Sequence, residues 1–94
     1  MISDYLLEGA ENAQTAQDLA RLLGISSREI TATIGKERLA GKPICASSGA
    51  NPGYYLAANR QEMKDFCRNL EHRIGEVTKT LHACKKTATT LPEA

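Results

Sequence analysis

The sequence predicts a mainly α-helical fold with one small β-hairpin and a long helix near its C-terminal end. Glycines and helix-capping residues divide the first forty positions into short helical segments. Two runs with high strand propensity then flank a turn-rich stretch at residues 47–53. An apolar stripe with near-heptad spacing occupies most of the remaining chain. At 94 residues the chain has room for one domain.

Charge is unevenly distributed along the chain, although its net value is only +1. Residues 1–24 carry one basic side chain against four acidic ones. Residues 25–58 carry four basic side chains against two acidic ones, and residues 59–94 carry seven against five. An acidic start and a mildly basic middle are compatible with one DNA-facing surface, but many solvated surfaces have the same pattern.

Two helices with a short turn between them are predicted in the first part of the chain. A first helical segment, Ile2–Glu8, is followed by a polar connection. The next helix begins after Thr15, which is spaced to cap it together with Asp18, and it ends at Gly24.

Ser26 opens the second of these helices, with Glu29 in capping-box spacing. Ile30 and Ile34 are four residues apart and are predicted to face inward, with Leu39 at the end of the same face. Two helices joined in this way form a helix-turn-helix.

A β-hairpin is predicted directly after the helix-turn-helix. Its strands are the short apolar run 44–46 and the run 54–56, which contains two tyrosines. Residues 47–53 between them have the composition of a turn. A helix-turn-helix followed by such a hairpin has the element order of a winged helix.

The long C-terminal helix is predicted to begin at Asn59, with Glu62 completing a capping box. Its stripe is formed by Met63, Phe66, Leu70, Ile74, Val77, Leu81 and Cys84. Such a helix is about 40 Å long, whereas a body of fewer than sixty residues spans only about 25 Å. We therefore expect a homodimer through Met63, Phe66, Leu70, Ile74, Val77 and Leu81; a helix folded back onto the body is the alternative. The predicted organisation is a winged helix-turn-helix at 1–58, a dimerisation helix at 59–86 and a flexible tail at 87–94.

The ordered motifs of residues 2–57 resemble the winged helix of the biotin-operon repressor. They are Thr15-Ala16-x-x-Leu19-Ala20-x-x-Leu23-Gly24-Ile25-Ser26-x-Arg28-x-Ile30-x-x-x-Ile34, Gly41-x-x-Ile44 and Gly53-Tyr54-x-Leu56. Glu37 departs from the family pattern, because an apolar residue is usual there and Leu39 is displaced. We therefore expect a rotated or loosely seated recognition helix. The match is confined to the winged helix and does not imply biotin chemistry. The architecture looks like that of small regulators of bacteria, phages and prophages.

The resemblance implies that the helix starting near Ser27 enters the major groove of double-stranded DNA. Its exposed side would present Ser27, Arg28, Thr31 and Ala32 to the bases, with Arg28 suited to bond guanine through two hydrogen bonds. Pairing of Arg28 with a neighbouring surface acid is the alternative. Phosphate or groove contacts are expected from Lys36, Arg38, Lys42, Ser48 and Asn51. The predicted wing tip, residues 47–53, has no basic side chain, which weakens the DNA prediction.

Other functions have little support in the sequence. Three cysteines without a CxxC pair indicate reduced thiols in a cytoplasmic protein. His82 and Cys84 are two apart and diverge on a helix, so no metal site is expected. No catalytic constellation, cofactor motif, signal peptide or membrane span is apparent. The two hypotheses are a dimeric DNA-binding regulator of transcription and, alternatively, a winged-helix module for protein–protein interaction in a replication or assembly complex.

Overall fold

The computed structural model describes residues 1–93, and its architecture confirms the predicted fold class. The chain is mainly helical, with a two-stranded antiparallel hairpin and a long C-terminal helix. Its elements are the 3-10 turns Ile2–Tyr5 and Ala10–Asn12, helices α1 (Ala16–Leu23) and α2 (Ser27–Leu39), strands β1 (Ile44–Ser47) and β2 (Gly53–Leu56), and helix α3 (Arg60–Ala88). The helix thus includes the first two residues of the predicted tail, and the tail's last residue, Ala94, lies outside the described residues.

Local capping determines where α1 and α2 begin. The Thr15 side chain accepts a hydrogen bond from the backbone N–H of Asp18, and the Ser26 hydroxyl accepts one from Glu29, each at 3.1 Å. These contacts satisfy donors that have no partner inside the helix. Gly24 ends α1 in the left-handed conformation, with φ of 69°. The two predicted helices and the short turn between them are confirmed.

The predicted first helix, Ile2–Glu8, is wrong in length. Helical structure there is one 3-10 turn, Ile2–Tyr5, and the backbone of Leu6 is already extended. The next residue, Leu7, accepts a hydrogen bond from the Leu56 N–H at 2.9 Å. A backbone carbonyl engaged by β2 is not free to continue a helix, so a longer-range contact determines this boundary.

The hairpin pairs β1 with β2 in an antiparallel register that places Ile44 opposite Leu56 and Ser47 opposite Gly53. The other side of β2 is also paired, because Gln14 and Tyr54 exchange backbone hydrogen bonds at 2.7 and 2.9 Å. The segment before α1, which was predicted as a plain connection, therefore pairs with β2 as a short third strand-like segment through Gln14. Pairing on both sides removes most of the exposed edge of β2.

Gly53 allows the close approach between β2 and the segment that contains Gln14. Its φ is 136°, and a Cβ added there would meet the carbonyl group of Gln14 and lie 2.8 Å from the backbone nitrogen of Thr15. Only glycine combines this backbone conformation with no side chain. Steric constraints therefore require glycine at the first position of the Gly-Tyr-x-Leu motif.

The chain divides into two compact units, Met1–Lys64 and the residues from Asp65 onward. The hydrophobic core lies in the first unit and is formed by Ile2, Leu6, Leu19, Ile30, Ile34 and Ile44. Leu39, predicted at the end of the inward face, is instead 92% exposed. Glu37 occupies the inward position that follows Ile34, so the helix turns Leu39 to the solvent side.

Helix α3 begins where the sequence predicts. The Asn59 side-chain oxygen accepts a hydrogen bond from the Glu62 N–H at 2.9 Å, and the Glu62 carboxylate accepts one from the Ala58 N–H at 2.7 Å. The helix continues without a break through Gly75, where an added Cβ would meet nothing within 4 Å. No described helix is both long and apolar enough to cross a membrane.

Candidate nucleic-acid interface

The four side chains predicted to read bases lie together on the exposed surface of α2. Ser27, Arg28, Thr31 and Ala32 are all exposed. Ile30 and Ile34 are buried, because a period of 3.6 residues places them on the opposite side of the helix. Burial of the isoleucine face therefore fixes which side chains α2 can present to a partner.

Arg28 has no ion pair with any residue in the described part of the chain. The nearby Arg21 differs, since its guanidinium lies 3.9 Å from the carboxylate of Asp18. Pairing of Arg28 with a surface acid, the alternative reading of this residue, is therefore not observed within residues 1–93. Its guanidinium can donate to an external acceptor without first breaking an internal pair.

Thr31 is partly committed to its own helix. Its hydroxyl donates to the Ser27 carbonyl at 3.2 Å, as threonines in helices often do. The Thr31 hydroxyl oxygen can still accept a hydrogen bond from an external group. The side chain is therefore better suited to contact a hydrogen-bond donor of a partner than an acceptor.

The three basic residues predicted to contact phosphate do not have the same surroundings. Lys36 is exposed and Lys42 is half-buried. Arg38 donates from Nε to the Ile44 carbonyl at 2.8 Å, and its guanidinium carbon lies 5.8 Å from the centroid of the Tyr54 ring. Arg38 therefore links α2 to both strands, and its contacts favour a structural role.

The two predicted wing contacts also differ. Ser48 is exposed at the tip of the hairpin. The Asn51 amide donates to the Ala10 carbonyl at 3.0 Å and to the Glu11 carbonyl at 2.9 Å. Asn51 thus fastens the wing tip to the second 3-10 turn, and its NH2 group can donate to a phosphate only by giving up those bonds.

Glu37 is a structural anchor that sequence reasoning missed. Its carboxylate is buried and accepts hydrogen bonds from the backbone N–H groups of Ile2 at 2.8 Å and Ser3 at 2.9 Å. The expectation of a loosely seated recognition helix is wrong, because these bonds tie α2 to the N-terminal turn. An acid at an inward position was the available signal, since a buried carboxylate needs donors.

The pKa of Glu37 lies below its ordinary value as the result of opposing effects. Burial is the largest single effect and raises the pKa. The hydrogen bonds from Ser3 and Ile2 each lower the pKa, and together they outweigh the effect of burial. Donors directed at both carboxylate oxygens favour the charged form. Glu37 is therefore ionised in the folded protein at neutral pH.

The predicted dimerisation residues fall into two groups. Phe66 is 4% exposed, and Met63 and Leu70 are partly buried. Ile74, Val77 and Leu81 are 65%, 64% and 49% exposed. Large apolar side chains in such a contiguous, exposed row are typical of interaction surfaces.

The thiols and imidazoles of residues 1–93 form no metal-binding cluster. No group of three or more His, Cys, Asp or Glu side chains with suitable geometry occurs among residues 1–93. Cys45 is buried, and its Sγ lies 3.7 Å from the Met63 sulfur. Cys67 and Cys84 are exposed thiols on α3.

No family model, curated protein sequence or solved structure matches this chain with significance. The likeness to the winged helix of the biotin-operon repressor therefore stays a resemblance in motifs and element order.

Proposed function

We propose that this protein binds double-stranded DNA as a cytoplasmic, dimeric regulator of transcription, with a winged helix of the biotin-operon-repressor type. The single observation that carries the proposal is the exposed face of α2, where Arg28 stands without an internal ion pair beside Ser27, Thr31 and Ala32. The second helix of a helix-turn-helix is the element that enters the major groove in proteins of this architecture.

We assign recognition of the DNA base sequence to the N-terminal half of α2. The Arg28 guanidinium can donate two parallel hydrogen bonds to the O6 and N7 atoms of a guanine. Thr31 and Ala32 are small enough to let the helix approach the base edges, and their methyl groups suit contact with thymine. The small side chains leave Arg28 as the main determinant of specificity.

Phosphate contacts are assigned to Lys36 and Lys42, which set the position of the protein on the duplex without reading sequence. Two such residues in each copy give a weak electrostatic contribution. A homodimer through α3 doubles it, which is one reason that the proposal includes dimerisation.

Fluorescence anisotropy of a labelled mixed-sequence duplex, titrated with the protein at low and near-physiological salt, tests this proposal. We expect binding that weakens steeply as salt rises, because basic side chains release counterions from the phosphates. Absence of binding at low salt would exclude the DNA-binding function.

A second candidate function is a protein–protein interaction module in a replication or assembly complex. It is favoured by the exposed Leu39 side chain on α2 and by the absence of basic residues at the wing tip, residues 47–53. An apolar side chain is better suited to a protein partner than to a phosphate backbone. Failure to bind DNA at low salt would make this the leading function.

A further inference from the structure

The large exposed apolar residues in and just after α3 belong to a seven-residue repeat. Cys67, Ile74, Leu81 and Ala88 are seven apart and take the a positions of a heptad. Leu70, Val77, Cys84 and Leu91 are also seven apart and take the d positions. We name these eight positions the C-terminal seam.

The seam is uncovered along most of its length. Every member is exposed except Leu70, which is partly buried, and Leu91 lies in the turn directly after α3. Its N-terminal limit is set by the preceding d position, Met63, which is partly buried and in contact with Cys45. A partner helix therefore has the interval 67–91 available to it.

A strict heptad repeat needs a partner with the same repeat, because each knob inserts into a hole formed by four side chains of the facing helix. A second copy of this chain carries the same repeat and is present wherever the protein itself is present. In an antiparallel pair each a position faces a d position, and pairing over the full interval centres the contact on residue 79.

Side-chain size favours this antiparallel register. Small residues then face large ones, with Cys67 opposite Leu91, Ala88 opposite Leu70, and Cys84 opposite Ile74 of the second copy. Alternation of large and small side chains across a contact fills the space evenly. A parallel pair would instead stack Cys67, Cys84 and Ala88 each on its own copy, which leaves loosely packed layers.

Charge favours the same register. The e positions that flank the seam carry Glu71 and Lys85, and neither has an ion pair within residues 1–93. Antiparallel pairing about residue 79 brings Glu71 of each copy opposite Lys85 of the other, giving two ion pairs. An antiparallel pair shifted by one heptad toward the N-terminus would place Lys64 opposite Lys85, so like charges would repel.

We infer that α3 forms an antiparallel homodimer through the C-terminal seam, centred on residue 79. This inference rests on the homodimer of the proposed function and specifies its geometry. Cys67 lies twelve residues from the centre at residue 79, which is about 18 Å along the helix at about 1.5 Å per residue. The two Cys67 residues of the dimer thus lie about 36 Å apart along the axis of the pair.

Disulfide trapping of the full chain tests the register, because a disulfide forms only between residues whose Cα atoms lie within about 7 Å. The variant Cys67→Ala/Ile74→Cys places a thiol opposite the native Cys84 of the second copy. We expect rapid formation of a covalent dimer on mild oxidation, and its loss when Cys84→Ala is added. The matched control Cys67→Ala/Lys79→Cys carries its thiol on the outward face and is expected to stay uncrosslinked.

Three outcomes would overturn the inference. A covalent dimer that survives Cys84→Ala would show parallel pairing, since residue 74 would then face its own copy. Rapid crosslinking of the unmodified protein between Cys67 and Cys84 would show the shifted register. A monomer by sedimentation equilibrium at all concentrations would exclude a second copy and leave the seam for a helix of another protein.

Charge exchange gives a second measurement that does not alter the apolar seam. We expect Glu71→Lys alone to raise the dimer dissociation constant about 3- to 30-fold, and Glu71→Lys/Lys85→Glu together to restore it. Glu76→Lys on the outward side of α3 is the matched control. No restoration in the double variant would contradict the register. Since neither assay involves DNA, a trapped antiparallel dimer that binds no duplex would reject the proposed function and leave this inference intact.

Discussion

Glu37 shows how one residue can determine the seating of helix α2. Its carboxylate receives the backbone N–H groups of Ile2 and Ser3, thirty-five and thirty-four residues away in sequence. The N-terminal turn is thereby held against α2, and Ile2 is placed in the core. A hydrogen bond to a charged group contributes about 1.5–3 kcal/mol, so this contact is a large part of the marginal stability of a small domain.

Replacement of Glu37 tests this contact. We expect Glu37→Gln to lower the free energy of unfolding by about 2 kcal/mol, because an amide has one accepting oxygen and its NH2 group would oppose a backbone donor. Urea unfolding followed by circular dichroism measures the loss. Glu8→Gln, at an exposed acid of the same unit, is the control and is expected to change little; equal stability of the two variants would refute the anchoring role.

The pH dependence of stability follows from the lowered pKa of Glu37. A carboxyl whose folded pKa is depressed stabilises the protein above its ordinary unfolded value of about 4.3, and that contribution disappears as pH falls through the folded pKa. We expect the difference in unfolding free energy between the unmodified protein and Glu37→Gln to be constant near neutral pH and to shrink below about pH 4. A difference that persists unchanged in stronger acid would contradict this account.

Gly53 is the second position where a single residue controls the architecture. We expect Gly53→Ala to destabilise the protein by about 2–5 kcal/mol, since the new Cβ meets the Gln14 carbonyl and φ is positive. Gly49→Ala is the matched control, because Gly49 also has positive φ, 106°, but open space around it. Urea midpoints of the two variants separate the steric cost from the backbone cost, and equal midpoints would show that the close approach is unimportant.

Arg28 is where specificity is predicted to depend on one side chain. We expect Arg28→Ala to weaken binding to a preferred duplex by about 1–3 kcal/mol, or roughly 5- to 150-fold, and to relax the preference for guanine at one position. Arg21→Ala removes an equal charge from α1 and serves as the control. Equal losses in both variants would mean that Arg28 contributes only charge.

At the scale of secondary-structure elements, local signals predicted local features. Caps at Thr15, Ser26 and Asn59 fix the starts of the three helices, because each side chain acts on a backbone donor three residues away. The pairing of Gln14 with β2 was not predictable in this way, since forty residues separate Gln14 from its partner Tyr54. Periodicity likewise placed Leu39 inside, whereas the burial of Glu37 turned it outward.

Much less of the candidate site could be predicted than of the fold. The exposed face of α2 follows from the buried positions of Ile30 and Ile34, and spacing alone reveals it. The engagement of Arg38 with Ile44 and of Asn51 with the 3-10 turn depends on tertiary contacts. Composition identifies a basic or amide side chain, but only the fold determines whether its donors are already used.

Helix α3 is expected to act as an assembly element separable from the first unit. Ile74→Lys/Leu81→Lys places two charges at seam positions, and we expect it to abolish dimer formation while residues 1–58 remain folded. Sedimentation equilibrium gives the mass, and circular dichroism with thermal unfolding reports on the fold. Glu76→Lys/Lys79→Glu on the outward face is the control, and an unchanged mass for the seam variant would refute assembly through α3.

For the molecule as a whole, the proposed function combines a weak DNA-facing surface with a long assembly helix. The net charge of +1 and the uncharged wing tip give one copy little electrostatic attraction for DNA. In the proposed dimer each duplex can be contacted by both copies, and we expect the second contact to form at a high effective concentration. Dimerisation is therefore expected to govern affinity, while α2 governs specificity.

The central claim is that α2 is the DNA-contacting element, and an amide NMR titration of the protein with duplex DNA tests it most directly. We expect chemical-shift changes to concentrate in residues 27–36, with smaller changes at Lys42 and Ser48, and we expect a higher salt concentration to reduce all of them together. Changes confined to α3, or no changes at low salt, would contradict the account and assign the protein to another function.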